Sequence, residues 1–330
     1  MKRSYYLYSD GEIHRKDNTL QFTSADGSRR DLPVERITDI YAFSQMNLNT
    51  AFLNFLGAHG ITLHFFNYFS FYTGSFYPRE QLLAGDLLVK QVQHYTDAEK
   101  RLDLARRFVD TAAANIYRNL RYYNGRGKEV SGPMNLIDFT RRELPKAKTI
   151  PEVMGYEGTI RKIYYETWNT LVDQPIDFTR RVKNPPDNMI NTLISFVNSL
   201  IYTKVLTEIY QTQLNPTVSF LHEPGVRRFS LSLDLAEIFK PLLGDRLIFS
   251  LLNRKQITEK SFTRGLNFLH LTKDSSQTIL QALDERLETT IFHKDLDKKV
   301  SYRYLIRLEC YKLVKHILGE KPYEGFKIWW

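Results

Sequence analysis

The sequence predicts an α+β protein, in which a small N-terminal β-sandwich-like domain precedes a larger, all-α C-terminal domain. Residues 1–78 are assigned to the β domain and residues 79–330 to the helical domain. Strand-like segments separated by turn residues fill the first part. From about Gln81 onward, apolar residues recur at the 3.6-residue period of a helix. A length of 330 residues is enough for one large domain or two ordinary ones.

Short aromatic and β-branched segments in the first domain predict strands, because such side chains fit a pleated surface. The predicted strands cover residues 5–8, 13, 20–23, 37–42, 61–66 and 69–72. Asp-Gly pairs at 10–11 and 26–27 are hairpin signals, since glycine accepts a positive φ angle. A helix is predicted over 48–56 and a linker over 74–78. Long aromatic strands need a cover, so this domain is expected to form a homodimer contact.

The second domain is predicted to be built from long amphipathic helices separated by loops rich in proline and glycine. The predicted helices cover residues 84–96, 98–123, 150–172, 189–210, 231–239, 243–253, 275–292 and 302–318.

Composition narrows the functional class before any motif is considered. The net charge is +9 and 13% of the residues are aromatic, a combination that suits nucleic acid but also fits a tyrosine-rich core. Cys310 is the one cysteine, which excludes an intrachain disulfide and a cysteine zinc site. The N-terminus lacks a signal-peptide pattern and no apolar run reaches the length of a membrane span. We therefore expect a cytoplasmic protein that does not contact a membrane.

Glu157 is the first candidate functional residue. At 100° per residue, the apolar side chains of Ile160, Tyr164, Trp168 and Leu171 fall within about 60° of it, so the carboxylate begins an inward-facing stripe. A buried carboxylate is unfavourable unless it is paired or binds a metal. The alternative is a glutamate near a helix start that is partly solvated or paired with an arginine of the core.

His222, Asp234 and Glu237 are the other candidates. His222 lies in a loop after a long helix, where functional groups are common, although a lone loop histidine is more often a surface residue. Asp234 and Glu237 share one helical face, where two like charges repel unless a cation separates them. The alternative is an exposed acidic edge matched by Arg227, Arg228 or Lys240. Carboxylate oxygens with one imidazole suit Mn²⁺ or Mg²⁺.

Four segments in this order resemble the CRISPR-associated Cas1 family of spacer-acquisition endonucleases (integrases), and the resemblance covers nearly the whole chain. They are residues 154–158 (MGYEG), 181–196 (RVKNPP to NTLISF), 221–231 (LHEPGVRRFSL) and 234–241 (DLAEIFKP). One departure is Gln213 before Leu214, where many relatives have glycine.

The resemblance implies a metal-dependent DNA endonuclease and integrase that inserts new spacers into a CRISPR array in antiviral defence. It places the catalytic residues and ligands of Mn²⁺ or Mg²⁺ at Glu157, His222 and Glu237, with Asp234 either a ligand or a residue that supports one. Arg227 and Arg228 are predicted to contact DNA phosphates, because guanidinium matches phosphate oxygens. The implied partners are double-stranded and branched DNA, a second copy of the chain, and a Cas2 dimer.

Two other functions stay open from the sequence. One is a non-catalytic DNA-binding assembly protein with a structural acidic cluster. The other is a general repair nuclease for branched DNA, which uses the same chemistry on a different substrate.

Overall fold

The computed structural model describes residues 3–78, 82, 84–183, 185–225, 229–264 and 269–329. The chain divides into two compact units, Met1–Leu83 and Ala84–Trp330. The predicted α+β class is confirmed, because strands dominate the first unit and helices the second.

The first unit consists of strands, one long helix and a short 3₁₀ turn (Val34–Arg36). Its strands and helix are β1 (Arg3–Leu7), β2 (Gly11–Lys16), β3 (Thr19–Ser24), β4 (Arg29–Leu32), β5 (Ile37–Ala42), β6 (Met46–Leu48), α1 (Thr50–His59), β7 (Thr62–Phe66) and β8 (Tyr72–Phe76).

Two four-stranded sheets are formed by the described strands of this unit. One has the order β1-β5-β7-β8, with β1, β5 and β7 parallel and β8 antiparallel to β7. The other has the order β4-β3-β2-β6, in which β2, β3 and β4 form an antiparallel meander. The β3–β4 turn uses Gly27 at a φ of 83°, as the Asp-Gly signal predicts.

A single apolar core joins the two sheets to α1. Leu7 and Ile40 come from the first sheet and Ile13 and Leu20 from the second, and all four are buried beside Phe52 of α1. The Asn49 side chain begins the helix by accepting the Phe52 N–H (2.9 Å), and Gly60 ends it at a φ of 63°. The sequence patterning therefore gives a sandwich-like arrangement with a helix.

The second unit is mainly helical. Its elements are α2 (Gly85–Thr96), α3 (Ala98–Asn124), α4 (Ser131–Glu143), α5 (Ile150–Glu166), α6 (Trp168–Leu171), α7 (Met189–Tyr210), α8 (Ser230–Phe239), α9 (Arg246–Asn253), β9 (Phe262–Arg264), β10 (Leu269–Leu271), α10 (Lys273–Glu288), β11 (Thr290–His293), β12 (Lys298–Ser301) and α11 (Tyr302–Ile317). Short 3₁₀ turns cover Leu144–Lys146, Glu259–Ser261 and Lys294–Leu296, and a π-helical turn covers Lys240–Asp245.

The core of this unit surrounds α3, α7 and α8. α8 packs against α3 and α7, and α5 packs against α3 and α4. Within the part of the chain that the structure describes, α7 is the one helix long and apolar enough to cross a membrane. Because 72% of its apolar window is buried inside the protein, its apolar side chains are explained by the core.

The structure corrects the predicted strand at 69–72 and the predicted linker at 74–78. The chain turns at 67–71 instead, where the Asn67 side chain accepts the N–H groups of Phe69 and Phe71 and Ser70 has a φ of 61°. Strand β8 then runs from Tyr72 to Phe76 and pairs with β7. The polar, glycine-containing segment forms a strand because β7 supplies its hydrogen-bond partners.

Three predicted helices also differ. The helix predicted over 275–292 ends at Glu288, because β-branched Thr290 and Ile291 pair with β12. The helix over 150–172 is divided at Thr167 into α5 and α6. The one over 243–253 begins at Arg246, after the π-helical turn. Helix α4 and the strands β9 to β12 were not predicted.

Candidate metal centre

Glu157 lies in the middle of α5, whose first turn is capped by the Thr149 side chain (3.3 Å to the Glu152 N–H). The stripe predicted from the sequence is inward-facing, since Ile160 and Tyr164 are buried. The Glu157 side chain is 28% exposed, so the carboxylate lies where the buried face meets solvent. An ion in solution can therefore reach it.

Arg161 follows one turn later on the same face and contacts both predicted carboxylate ligands. Its Nε donates to Glu157 Oε1 at 3.3 Å, and its Nη2 donates to Glu237 Oε2 at 2.5 Å. The guanidinium thus joins α5 to α8. Glu237 is buried, and its other oxygen accepts a hydrogen bond from the Lys240 ammonium. Two cations neutralise one buried carboxylate.

These contacts shift the pKa values of the two carboxyl groups in opposite directions. Burial works to raise the pKa of Glu237, but Lys240 and Arg161 outweigh it and hold that pKa below its ordinary value. Burial and the negative charge of Glu237 raise the pKa of Glu157, against the opposing effect of Arg161. Glu237 is therefore the fixed anion, and Glu157 is a carboxyl group whose ionisation a further cation would favour.

His222 belongs to the 211–225 segment between α7 and α8, which several side chains of the unit fasten. Gln91 of α2 donates to the carbonyls of Asn215 and Val218, both at 2.9 Å. Arg101 of α3 donates to the Phe220 carbonyl at 3.0 Å. A loop held at this many points can present a histidine in one orientation.

Asp234 of α8 fixes the histidine itself. Its Oδ2 accepts the N–H groups of Phe220 (2.6 Å) and Leu221 (2.9 Å), and its Oδ1 accepts the His222 N–H (2.9 Å). The His222 ring completes the set, with Nδ1 at 2.8 Å from Oδ1. Four hydrogen bonds engage the two oxygens of this fully buried carboxylate. Nε2 is then the ring nitrogen oriented toward another partner.

The charges of the three predicted ligands act on one another. Burial works to lower the pKa of His222, but its hydrogen bond to Asp234 and the charges of Asp234 and Glu237 raise the pKa above its ordinary value. His222 in turn lowers the pKa values of Glu157 and Glu237. The charges of Glu157, His222 and Glu237 therefore influence one another in the folded protein.

Asp245 is a further buried acid beside Arg161. Its Oδ2 lies 3.7 Å from Arg161 Nη1, and both side chains are buried. Burial raises the pKa of Asp245 to about 7, although Arg161 and Lys240 act to lower it. Arg161 is thus surrounded by three carboxyl groups, of which Asp245 is the one farthest from solvent.

In the part of the chain that the structure describes, no three His, Cys, Asp or Glu side chains converge closely enough to enclose a metal ion. Lys240 and Arg161 occupy the oxygens of Glu237 instead. The alternative of an exposed acidic edge on α8 does not hold, because Asp234 and Glu237 are both buried. Arg227 and Arg228, the predicted phosphate contacts, lie outside the described residues.

Sequence reasoning missed Arg161 and Asp245 as parts of the site. Arg161 lies four residues after Glu157, only about 40° away around the helix, and therefore interrupts an apolar stripe. A charged residue within such a stripe is a usable signal. Asp245 gave no comparable signal, because a π-helical turn sets its position.

Comparisons with known proteins identify relatives over the whole chain. The family model described as CRISPR associated protein Cas1 matches residues 5–285. The CRISPR-associated endonuclease Cas1 of Fusobacterium nucleatum is 60% identical over 330 residues, covering 100% of this chain and 98% of that protein. The CRISPR-associated protein Cas1 1 of Methanobrevibacter ruminantium is 49% identical over 329 residues, covering 100% of this chain and 99% of that protein.

Solved structures with the same fold include a Cas1 protein from Thermotoga maritima, with a TM-score of 0.90 and 39% identity over 98% of this chain and 100% of that one. A casposase bound to integration product has a TM-score of 0.88 over 99% of this chain and 93% of that one. Its identity is 22%, so it supports the fold alone.

Proposed function

Because this chain belongs to the CRISPR-associated Cas1 family, we propose that it is a metal-dependent DNA endonuclease and integrase that inserts new spacers into a CRISPR array. One observation carries the proposal: the predicted ligands are held by shared contacts. Arg161 donates to both Glu157 and Glu237. His222 is hydrogen-bonded to Asp234, which lies on the same helix as Glu237. Relatives named endonucleases at up to 60% identity support the nuclease activity.

The donor set fits a hard divalent cation such as Mn²⁺ or Mg²⁺. Two carboxylates and one imidazole nitrogen are ligands that such ions accept, and three protein ligands leave positions for water and phosphate. Glu237 already attracts two cationic side chains, which supports a position that favours positive charge. Glu237 would hold the ion in place of Lys240, its ion-pair partner three residues later on the chain.

Asp234 supports His222 in this proposal and is not a ligand. Its two oxygens already accept four hydrogen bonds, three from backbone N–H groups and one from the imidazole. A carboxylate that holds the far nitrogen of a metal-binding histidine fixes the tautomer and raises the basicity of the near one. Asp234 therefore sets the direction of the His222 Nε2 lone pair.

A bound divalent cation would supply the activation of a water or 3′-hydroxyl nucleophile and the neutralisation of charge on the phosphate. Glu157 would hold the ion from α5, Glu237 from α8 and His222 from the 211–225 segment. Arg161 keeps the two carboxylates at a fixed spacing before DNA arrives. Because these groups are on packed helices or a fastened loop, little reorganisation is needed at the moment of reaction.

The proposed partners follow from charge and family. A net charge of +9 favours DNA phosphates, so affinity is expected to fall steeply with salt and to depend little on sequence. We further propose a homodimer through the first 78 residues, a Cas2 dimer as the assembly partner, and a cytoplasmic location.

The test is an integration assay with purified Cas2, a short duplex carrying 3′-hydroxyl ends and a supercoiled plasmid that contains the repeat. We expect Mn²⁺-dependent strand-transfer products from the two proteins together and none from either alone or after chelation by EDTA. Cleavage without strand transfer would favour a general nuclease. DNA binding without either reaction would favour a non-catalytic assembly protein.

A further inference from the structure

The helix that carries Glu237 does not continue as an α-helix. α8 ends at Phe239 and passes into the π-helical turn Lys240–Asp245. The reason is in the sequence: Pro241 has no N–H, so the carbonyl of Glu237, four residues earlier, cannot receive its usual bond. Single π-helical turns within longer helices occur frequently at functional sites.

Two asparagines of α3 donate hydrogen bonds at this junction, one to the last turn of α8 and one to the π-helical turn. Asn115 Nδ2 donates to the Ile238 carbonyl at 3.2 Å, and Asn119 Nδ2 donates to the Pro241 carbonyl at 2.7 Å. The asparagines are one helical turn apart on the same face of α3, and both are fully buried. Together with the Arg286 side chain on the Leu242 carbonyl (2.9 Å), they give three carbonyls at this junction a side-chain donor.

Other partners fix both amide groups in turn. Asn115 Nδ2 also donates to the Phe326 carbonyl (3.0 Å), and its Oδ1 accepts the Ile328 N–H (3.0 Å). Asn119 Nδ2 lies 3.3 Å from the hydroxyl of Tyr164 on α5. The asparagines therefore connect the end of α8 and the π-helical turn to α3, to α5 and to the C-terminal segment.

The position of this turn gives it a consequence for the proposed metal centre. Glu237 is immediately before Ile238, and Lys240 and Asp245 are the first and last residues of the turn. Glu237 and Asp245 form ion pairs with Arg161, and Lys240 forms an ion pair with Glu237. A shift of the turn toward regular α-helix would rotate these side chains relative to Arg161 and Glu157.

We propose that Asn115 and Asn119 are positioning residues for the metal centre, which hold the π-helical turn so that Glu237 is presented to the ion together with Glu157 and His222. This inference rests on the proposed metal-dependent function. It assigns to two buried amides of α3 a role in metal affinity, although neither is a ligand.

Asn119→Leu, which keeps the size of the side chain and removes its donor, tests the inference in the full chain. The measurements are the Mn²⁺-induced rise in Tm and the Mn²⁺ concentration for half-maximal cleavage. We expect the half-saturating concentration to increase about ten-fold or more and the rise in Tm at fixed Mn²⁺ to shrink, because residues that orient a ligand commonly alter metal affinity by ~10–100-fold.

Asn253→Leu is the matched control. Asn253 also donates its amide to a backbone carbonyl (Leu171, 3.3 Å), but on a helix end away from the π-helical turn. Its substitution should lower Tm and leave the Mn²⁺ dependence unchanged. If Asn119→Leu fails to fold, Asn119→Ala and Asn115→Ala replace it with the same expected shift.

An unchanged Mn²⁺ dependence in a folded Asn119 or Asn115 variant would overturn the inference and leave the proposed function intact. Wild-type protein that shows neither Mn²⁺-induced stabilisation nor Mn²⁺-dependent cleavage would overturn the proposed function itself. The same shift in Asn253→Leu as in Asn119→Leu would also overturn the inference, because it would show a general effect of lower stability.

Discussion

His222 and Asp234 form one side of the proposed metal centre, here called the imidazole side, and Glu157 and Glu237 form the carboxylate side. The imidazole side is held by hydrogen bonds that use both oxygens of Asp234. The carboxylate side is held by ion pairs to Arg161 and Lys240. Backbone donors cannot leave without unfolding the loop, whereas a charged side chain can exchange its partner for another ion.

The difference indicates that the two sides have different roles, one in orientation and the other in charge. The imidazole side is fixed by hydrogen bonds in the metal-free protein. In the proposed function, a divalent cation would replace a cationic side chain on the carboxylate side. Asp234 and Glu237 illustrate this within one helix, three residues apart: both are buried acids, but one is saturated by N–H donors and the other by cations.

The largest expected effect comes from removing the ligands. Glu157→Ala, His222→Ala and Glu237→Ala should each abolish cleavage and strand transfer, because each removes one anchor of the ion that organises in-line attack. DNA affinity should be nearly unchanged, since it depends on distributed positive charge. Gel-based cleavage, integration and binding assays check this.

The control is Glu166→Ala, which changes an exposed acid on the same helix as Glu157 and should retain activity. Near-normal activity in Glu237→Ala, combined with an inactive Asp234→Ala, would mean that the two acids must exchange roles.

The second prediction concerns the imidazole side. Asp234→Ala should reduce activity about 10–100-fold, and added Mn²⁺ should restore part of it, because the histidine remains but is no longer oriented. Tm should also fall, since three buried N–H groups lose their acceptor. Activity titrations with Mn²⁺ and thermal unfolding are the measurements.

Glu223→Gln is the control within the same segment, because that side chain is 63% exposed and pairs with Arg101 at the surface. Its effect should be small. A complete loss of activity in Asp234→Ala at every Mn²⁺ concentration would contradict a supporting role.

The third prediction concerns the carboxylate side. Arg161→Met should lower the stability of the metal-free protein by about 3–5 kcal/mol, because it leaves buried carboxylates without their shared cation. Mn²⁺ should then raise Tm by more than it does in the wild type, since the ion replaces the missing charge. Arg161→Lys, which keeps the charge but not the fork geometry, should lie between the two. An equal Mn²⁺ effect in all three proteins would contradict the exchange of cations.

The smallest expected effect is a change in pH dependence. The pKa of Asp245 is raised to about 7 in the folded protein, so its carboxyl group favours folding while protonated and disfavours it once ionised. Stability from this group is present below pH ~4 and is lost as the pH rises through about 7. Asp245→Asn should therefore gain a few degrees in Tm relative to wild type at pH 8 but not at pH 4, measured in EDTA. A constant difference at both pH values would contradict the raised pKa.

The fold class and most of the helices could be predicted from the sequence, because hydrophobic periodicity is a local property of the chain. The helix predicted over 189–210 has the bounds observed for α7, and β5 also matches its prediction. The errors occur where a segment becomes a strand only by pairing with its neighbour: β8 needs β7, and β11 needs β12. Composition does not reveal which neighbouring strand will supply the missing hydrogen bonds.

The candidate residues of the site could likewise be found from the sequence. The inward-facing position of Glu157 followed from helical geometry. His222 and Glu237 were candidates from their loop and helix positions, and the family resemblance grouped the three as ligands. What each carboxylate contacts was not accessible, because Arg161 is 76 residues from Glu237 and the amides that surround Asp234 are 12 to 14 residues away. Contacts between residues this far apart in the sequence cannot be predicted from local patterns.

The sequence by itself determined the α+β class, the apolar faces of the helices and the identity of the charged residues on them, because these depend on side-chain chemistry and on the period of the helix. Pro241 also determined that α8 could not continue as a regular α-helix, because proline has no backbone N–H to donate. Only the tertiary structure decided that Asp234 would be saturated by backbone donors while Glu237 received Arg161 and Lys240. It also decided that two buried asparagines would donate to carbonyls at the end of α8 and in the π-helical turn. Hydrogen bonding, burial and charge neutralisation depend on which groups are close in space. The packing of α3, α5 and α8 determines which groups are close.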